Sequence, residues 1–125
     1  MKILFELLTC QPQGRAQFHG GGEYGKALFI ELVKACKKEF ITVAYDRCKY
    51  LDHELIDLIN SNDIPVIDIK VPHSLSSESL NQFDVFFSPM PLSFQGIEIP
   101  DNCKFIGTVH DVRGLEFYKP PAIIF

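Results

Sequence analysis

No run of apolar residues in this chain approaches the roughly 18–20 that cross a bilayer as a helix. The nearest thing to a targeting signal is Leu7-Leu8-Thr9-Cys10, which has the letters of a bacterial lipoprotein cleavage site. Such a signal needs a longer apolar stretch, and Glu6 interrupts this one, so the segment reads as a first buried strand. A basic stripe is missing too. Twelve Lys and Arg stand against sixteen Asp and Glu, a formal net charge of −4, and the cations are scattered. Charge alone therefore argues against nucleic acid, and against an anionic membrane surface, as a partner. The four cysteines, Cys10, Cys36, Cys48 and Cys103, form neither a C-x-x-C pair nor a zinc-ligand spacing. They give no expectation of a metal and predict mostly buried, reduced thiols in a cytoplasmic protein. Internal repeats and low-complexity segments are also lacking.

What is present fits one globular domain over residues 1–125, with 46% hydrophobic and 12% aromatic residues. Apolar runs alternate with segments of helical period, which predicts an α/β fold: a Rossmann-like, three-layer αβα domain with a mainly parallel sheet. Strands are expected at about 2–8, 40–45, 65–69, 84–88 and 104–109, in the spatial order 3-2-1-4-5 with right-handed crossovers. Helices are expected at about 23–38, 52–60 and 77–82. The first has Leu28, Leu32 and Ala35 at helical spacing with Phe29, Val33 and Cys36 beside them, and so predicts a helix mostly covered by neighbours. Asp52 is placed to cap the second.

In such sheets ligands bind beyond the carboxyl ends of the strands, where the strand order reverses. Three features fall on that edge: the glycine run Gly20-Gly21-Gly22, Asp46 after the second strand, and His110-Asp111 after the fifth. The glycines allow close backbone approach, and the helix that follows offers free N–H groups and partial positive charge to a phosphate or a sugar. His110 can exchange a hydrogen bond with a substrate hydroxyl near neutral pH. Asp111 either orients it or caps the next turn. His19, Glu23 and Arg113 are further candidates by position, whereas His53 and His73 read as solvent-facing.

Two generic phosphate signatures match by letter and fail in context. Gly20, Gly25 and Lys26 approach a P-loop, but Ala27 stands where Ser or Thr would hold magnesium. Gly20, Gly22 and Gly25 fit G-x-G-x-x-G, with Asp46 about 20 residues on as a ribose-binding acid would be. There the glycines should follow the first strand at once, and here about eleven residues intervene, Thr9 to His19. That polar stretch reads as a flap beside the site. A dinucleotide-binding domain of an oxidoreductase and a non-catalytic α/β binding module stay open as alternatives.

Phe18-His19-Gly20-Gly21-Gly22-Glu23-Tyr24-Gly25-Lys26 resembles the glycine-rich segment after the first strand in family 4 glycosyltransferases. Thr108-Val109-His110-Asp111-Val112-Arg113-Gly114-Leu115-Glu116 resembles that family's strand ending in His-Asp. The likeness implies the N-terminal, acceptor-side domain of a retaining GT-B enzyme, one of two Rossmann-like halves flanking a cleft. It implies transfer of a sugar from a nucleotide diphosphate sugar, without metal or other cofactor, to a glycan, lipid-linked or small-molecule acceptor. Gly20, Gly21, Gly22 and Asp111 would face donor or acceptor, and His110 the transferred sugar. The family grips the donor mainly with a C-terminal domain, through a Glu-x7-Glu pattern and basic residues. With that domain missing and the apolar end Ala122-Ile123-Ile124-Phe125 reading as truncated, the isolated chain is expected to be inactive. A lipid-linked acceptor would place the enzyme at the inner face of the membrane.

Overall fold

The structure, a computed structural model, describes residues 1–12, 20–94 and 96–108. Five strands, β1 (Ile3–Glu6), β2 (Ile41–Tyr45), β3 (Val66–Asp68), β4 (Val85–Ser88) and β5 (Lys104–Gly107), form one sheet. Every pairing is parallel and the order is β3-β2-β1-β4-β5, as the alternation of apolar runs and helical segments predicts. The strands are slightly shorter than expected because their ends leave the ladder. After Glu6, the Leu7 N–H still reaches Ala44 O at 2.7 Å, but Leu8–Cys10 tightens into a 3-10 turn.

Three helices connect the strands: α1 (Gly20–Ala35), α2 (His53–Ser61) and the single-turn α3 (Ser77–Leu80). α1 is displaced from the expected 23–38. The glycines form its first turn, where a missing side chain costs least, and Lys37 is extended at φ −66°, ψ 129°. Nor is α1 mostly covered: Phe29 is fully buried, while Leu28, Ile30, Leu32 and Val33 are only part-buried. α2 begins where expected, with the Asp52 side chain accepting from Glu54 N at 2.8 Å. Lys26 of α1 reaches across to Asp52 at 3.1 Å and Glu54 at 3.4 Å.

Strand alternation sorts the core into two layers. Phe5, Val43 and Tyr45 pack with Phe29 of α1 and Leu55 and Ile59 of α2. Leu4, Ala44, Phe86 and Phe105 face the other way, onto Leu80 of α3 and onto Leu75, Phe83, Phe94 and Ile97 from irregular segments. The sheet lies between these layers, as a three-layer α/β fold requires. Two glycines permit close packing at the upper edge. A Cβ on Gly25 would lie 2.9 Å from Cys10 Sγ and 3.0 Å from Pro89 Cγ, and one on Gly107 would lie 2.8 Å from Ser88 O. All four cysteines are free thiols, as expected, but their burial departs from expectation: Cys103 is buried, Cys10 and Cys36 are part-buried, and Cys48 is exposed. Cys48 sits in the polar turn after β2, where no layer covers it. Among the described residues, no helix is long and apolar enough to cross a membrane.

Candidate functional site

The chain order reverses between β1 and β4, which are neighbours in the sheet though α1, β2, α2, β3 and α3 separate them in sequence. The crevice beyond the carboxyl ends of such a pair is where open α/β sheets bind ligands. A cleft of about 290 Å³ occupies it. Thr9, Gln11 and Pro12, following β1, make one wall, and Ser93 and Phe94, following β4, make another. Lys49, Lys70 and Pro72 close the side toward β2 and β3. The volume falls at the low end of small-molecule sites, and apolar walls with a few polar groups are the usual lining.

Beneath the cleft lies Glu6, the last residue of β1 and fully buried. Its Oε2 accepts from Thr9 N at 3.0 Å, and its Oε1 accepts from the Thr9 hydroxyl and from Ser88 Oγ at 2.8 Å. Ser88 ends β4, and its hydroxyl in turn accepts from Met90 N at 3.2 Å. Burial pushes the Glu6 carboxyl up to about 7, against the opposing pull of the Thr9 and Ser88 hydrogen bonds. In the sequence Glu6 stands out only as an interruption of an apolar run. The available signal was a single acid inside a buried strand, which has to be hydrogen-bonded or paired.

The next wall is held from β2. Gln11 is buried, and its side chain clamps the Asp46 backbone at both ends: Nε2 donates to Asp46 O at 2.7 Å and Oε1 accepts from Asp46 N at 3.0 Å. The Asp46 carboxylate accepts from Lys70 Nζ at 2.8 Å and from Cys48 N at 2.9 Å. The Lys70 hydrogen bond, then that of Cys48 N, holds Asp46 below the usual carboxylate range, and Asp46 with Cys48 raises Lys70. An acid so committed within the protein is a poor ribose ligand, which weakens the dinucleotide alternative. Lys26, the P-loop-like lysine, is likewise engaged by Asp52 and Glu54.

Of the residues singled out from sequence, Gly20, Gly21, Gly22 and Glu23 make the first turn of α1, and Glu23 is exposed there. They sit within the helix and not in a loop before it. Tyr24, one residue on, shares a 2.9 Å hydrogen bond with Thr108 just beyond β5. The start of α1 and the exit of β5 thus meet at one edge. His19, His110, Asp111 and Arg113 lie outside the described residues, as does most of the expected flap. Thr9, Cys10 and Gln11, the start of that flap, are a 3-10 turn and a buried anchor. His53 and His73 are exposed, as expected. The Glu-x7-Glu spacing does occur by letter, at Glu23, Glu31 and Glu39, but all three are exposed and Glu31 pairs with Lys34 along the helix. Among the described residues, no group of three or more His, Cys, Asp or Glu is placed to hold a metal ion.

No protein-family model, no curated protein and no solved structure matches this chain.

Proposed function

We propose that this domain is the acceptor-side, N-terminal half of a two-domain glycosyltransferase that moves a sugar from a nucleotide diphosphate sugar to an acceptor. The observation that supports the reading is the hydrogen bond between Tyr24 and Thr108. These residues belong to the two segments that resemble family 4 glycosyltransferases, and they are 84 positions apart in sequence. The doubly wound sheet brings both segments to its carboxyl edge, and the hydrogen bond adds that they meet there. The first turn of α1 then presents N–H groups toward an anionic or hydroxylated ligand. The cleft between β1 and β4 takes the acceptor. His110 follows Thr108 by two residues and is assigned to the transferred sugar, where its hydrogen bond strengthens as charge develops at the reacting carbon.

The test is His110→Ala in the two-domain protein, with His53→Ala as control. An interaction made mainly in the transition state shows in kcat more than in KM. A loss on the order of 100- to 1,000-fold in kcat is expected, with folding unchanged and the control near normal. The 125-residue chain alone should release no nucleotide from UDP- or GDP-sugars. Turnover by this chain alone would overturn the half-site reading, and a His110→Ala enzyme of normal kcat would remove the histidine from the chemistry.

A further inference from the structure

We propose that Glu6 is the positioning residue of the cleft, a clasp between the wall that follows β1 and the end of β4 that tightens when its carboxyl takes a proton and loosens when it loses one. The clasp stands at the reversal of chain order, since Glu6 and Ser88 end the two strands that flank it. A single carboxyl holds both the backbone and the hydroxyl of Thr9, a cleft-lining residue, together with the hydroxyl of Ser88. Through Ser88 Oγ it also reaches Met90 N, in the turn that leaves β4.

The surroundings explain why the proton matters. Among the described residues every donor to Glu6, Leu8 N included, is neutral, and no Lys, Arg or His forms an ion pair with it. From its own turn it is faced by Cys10, a thiol that burial and the nearby Glu6 push up, so that it stays neutral. Behind Cys10 stand Glu23 and Lys26 of α1 and Asp52 before α2, with Lys26 already claimed by Asp52. On the β2 side the register partner is Ala44, and Asp46 beyond it is committed to Lys70. From β4 comes only the Ser88 hydroxyl.

The four donors at Glu6, the N–H groups of Leu8 and Thr9 and the hydroxyls of Thr9 and Ser88, favour the ionised carboxyl, whereas full burial disfavours its charge and is the larger effect. On protonation one of the two hydroxyls that share Oε1 turns from donor to acceptor, and the buried charge is gone. As a carboxylate it is, among the described residues, a buried charge without a counterion, and opening to water relieves that cost. The segment this carboxyl holds is the short 3-10 turn Leu8–Cys10, whose Leu8 and Thr9 line the cleft. This clasp needs no sugar chemistry, so its failure leaves the transferase proposal standing, and the reverse holds equally.

The experiment is hydrogen exchange at the Thr9, Cys10, Gln11 and Met90 amides of the intact chain between pH 5 and 8, corrected for intrinsic exchange, alongside a carbon NMR titration of the Glu6 carboxyl. A midpoint near 7 is expected, with local opening rising on the order of 50-fold across that range as the closed form loses its hold on the proton. Glu6→Gln, permanently neutral, should abolish the rise. Thr9→Val removes a donor that favours the ionised form, so its midpoint should move up, and it supplies the test if Glu6→Gln does not fold. A Glu6 midpoint near 4.5, or opening equally pH-dependent in Glu6→Gln, overturns the proposal. So does a Thr9→Val midpoint that stays in place or falls.

Discussion

The two faces of the sheet are covered by different means. One carries regular helices, α1 with Phe29 and α2 with Leu55 and Ile59. The other is covered by one turn of helix and by irregular chain; each face has its own aromatic cluster, Phe86 with Phe105 and Phe94 here, Phe5 with Phe29 and Phe87 under the helices. By alternation along β1, Glu6 belongs with Leu4 to this second face, and Ser88 with Phe86 likewise. The same face supplies Leu8 and Phe94 to the cleft. Helices cover a sheet with repeating geometry and leave little room for a pocket. Irregular chain leaves polar groups and space at the strand ends, so the cleft and the Glu6 hydrogen bonds lie where the packing is least regular.

The largest effects test whether the irregular side is a true core. Phe29→Ala on the helical face and Phe86→Ala on the other should each cost roughly 3–5 kcal/mol in denaturant unfolding. Both side chains are fully buried, and each has an edge-on aromatic neighbour, Phe5 for Phe29 and Phe94 for Phe86. If Phe86→Ala cost less than about 1.5 kcal/mol, within the range of a mere size-conserving swap, the second layer would be a cover and not a core.

Next comes the buried carboxyl that only the irregular face contains. The folded state holds the Glu6 proton up to about pH 7, whereas the unfolded chain releases it near the ordinary value of 4.5. Stability from this group is therefore full below pH 4.5, falls as pH rises to 7, and is level above. At 1.36 kcal/mol per unit the loss is on the order of 3 kcal/mol. Glu6→Gln should stabilise the protein by about that order at pH 8 and change it little at pH 5, read from urea midpoints at the two pH values. An equal effect at both would place the cost in packing instead of charge. The depressed carboxyls Asp46, Asp52 and Asp68 work oppositely, their contribution being lost as pH falls below their ordinary 3.8. The smallest effect belongs to the helical face. Asp52→Ala removes the α2 cap and should cost about 1 kcal/mol in thermal or denaturant unfolding. The part-exposed pair with Lys26 adds little to that. A cost near zero would show that packing alone sets the start of α2.

The same contrast decides what was legible from sequence. Strand order and class were readable because short apolar runs, Pro65, Pro89 and Pro91 and the turn residues mark every strand locally. The start of α2 was readable because Asp52 and Glu54 are near neighbours. The start of α1 is hard to see in the sequence because glycine, a poor helix former, reads as loop, although the first turn tolerates it. Glu6 with Ser88 escaped because they lie 82 positions apart, and Gln11 with Asp46 because they lie 35 apart. Single residues gave no sign of these pairings until the sheet register brought them together. The Tyr24–Thr108 contact was hidden in the same way, although both residues stood in segments already singled out.

The outermost strand has a consequence for solubility under crowding. β3 is three residues long, opens after Pro65 and ends in Asp68, whose carboxylate takes Arg47 N at 3.0 Å and Lys70 Nζ at 3.2 Å. A neighbouring molecule seeking to extend the sheet would meet a proline without an N–H at one end and a charged cluster at the other. Too few backbone groups lie between them to seed a new strand. On that flank the molecule is protected from templating its own aggregation by the same Lys70 that closes one side of the cleft.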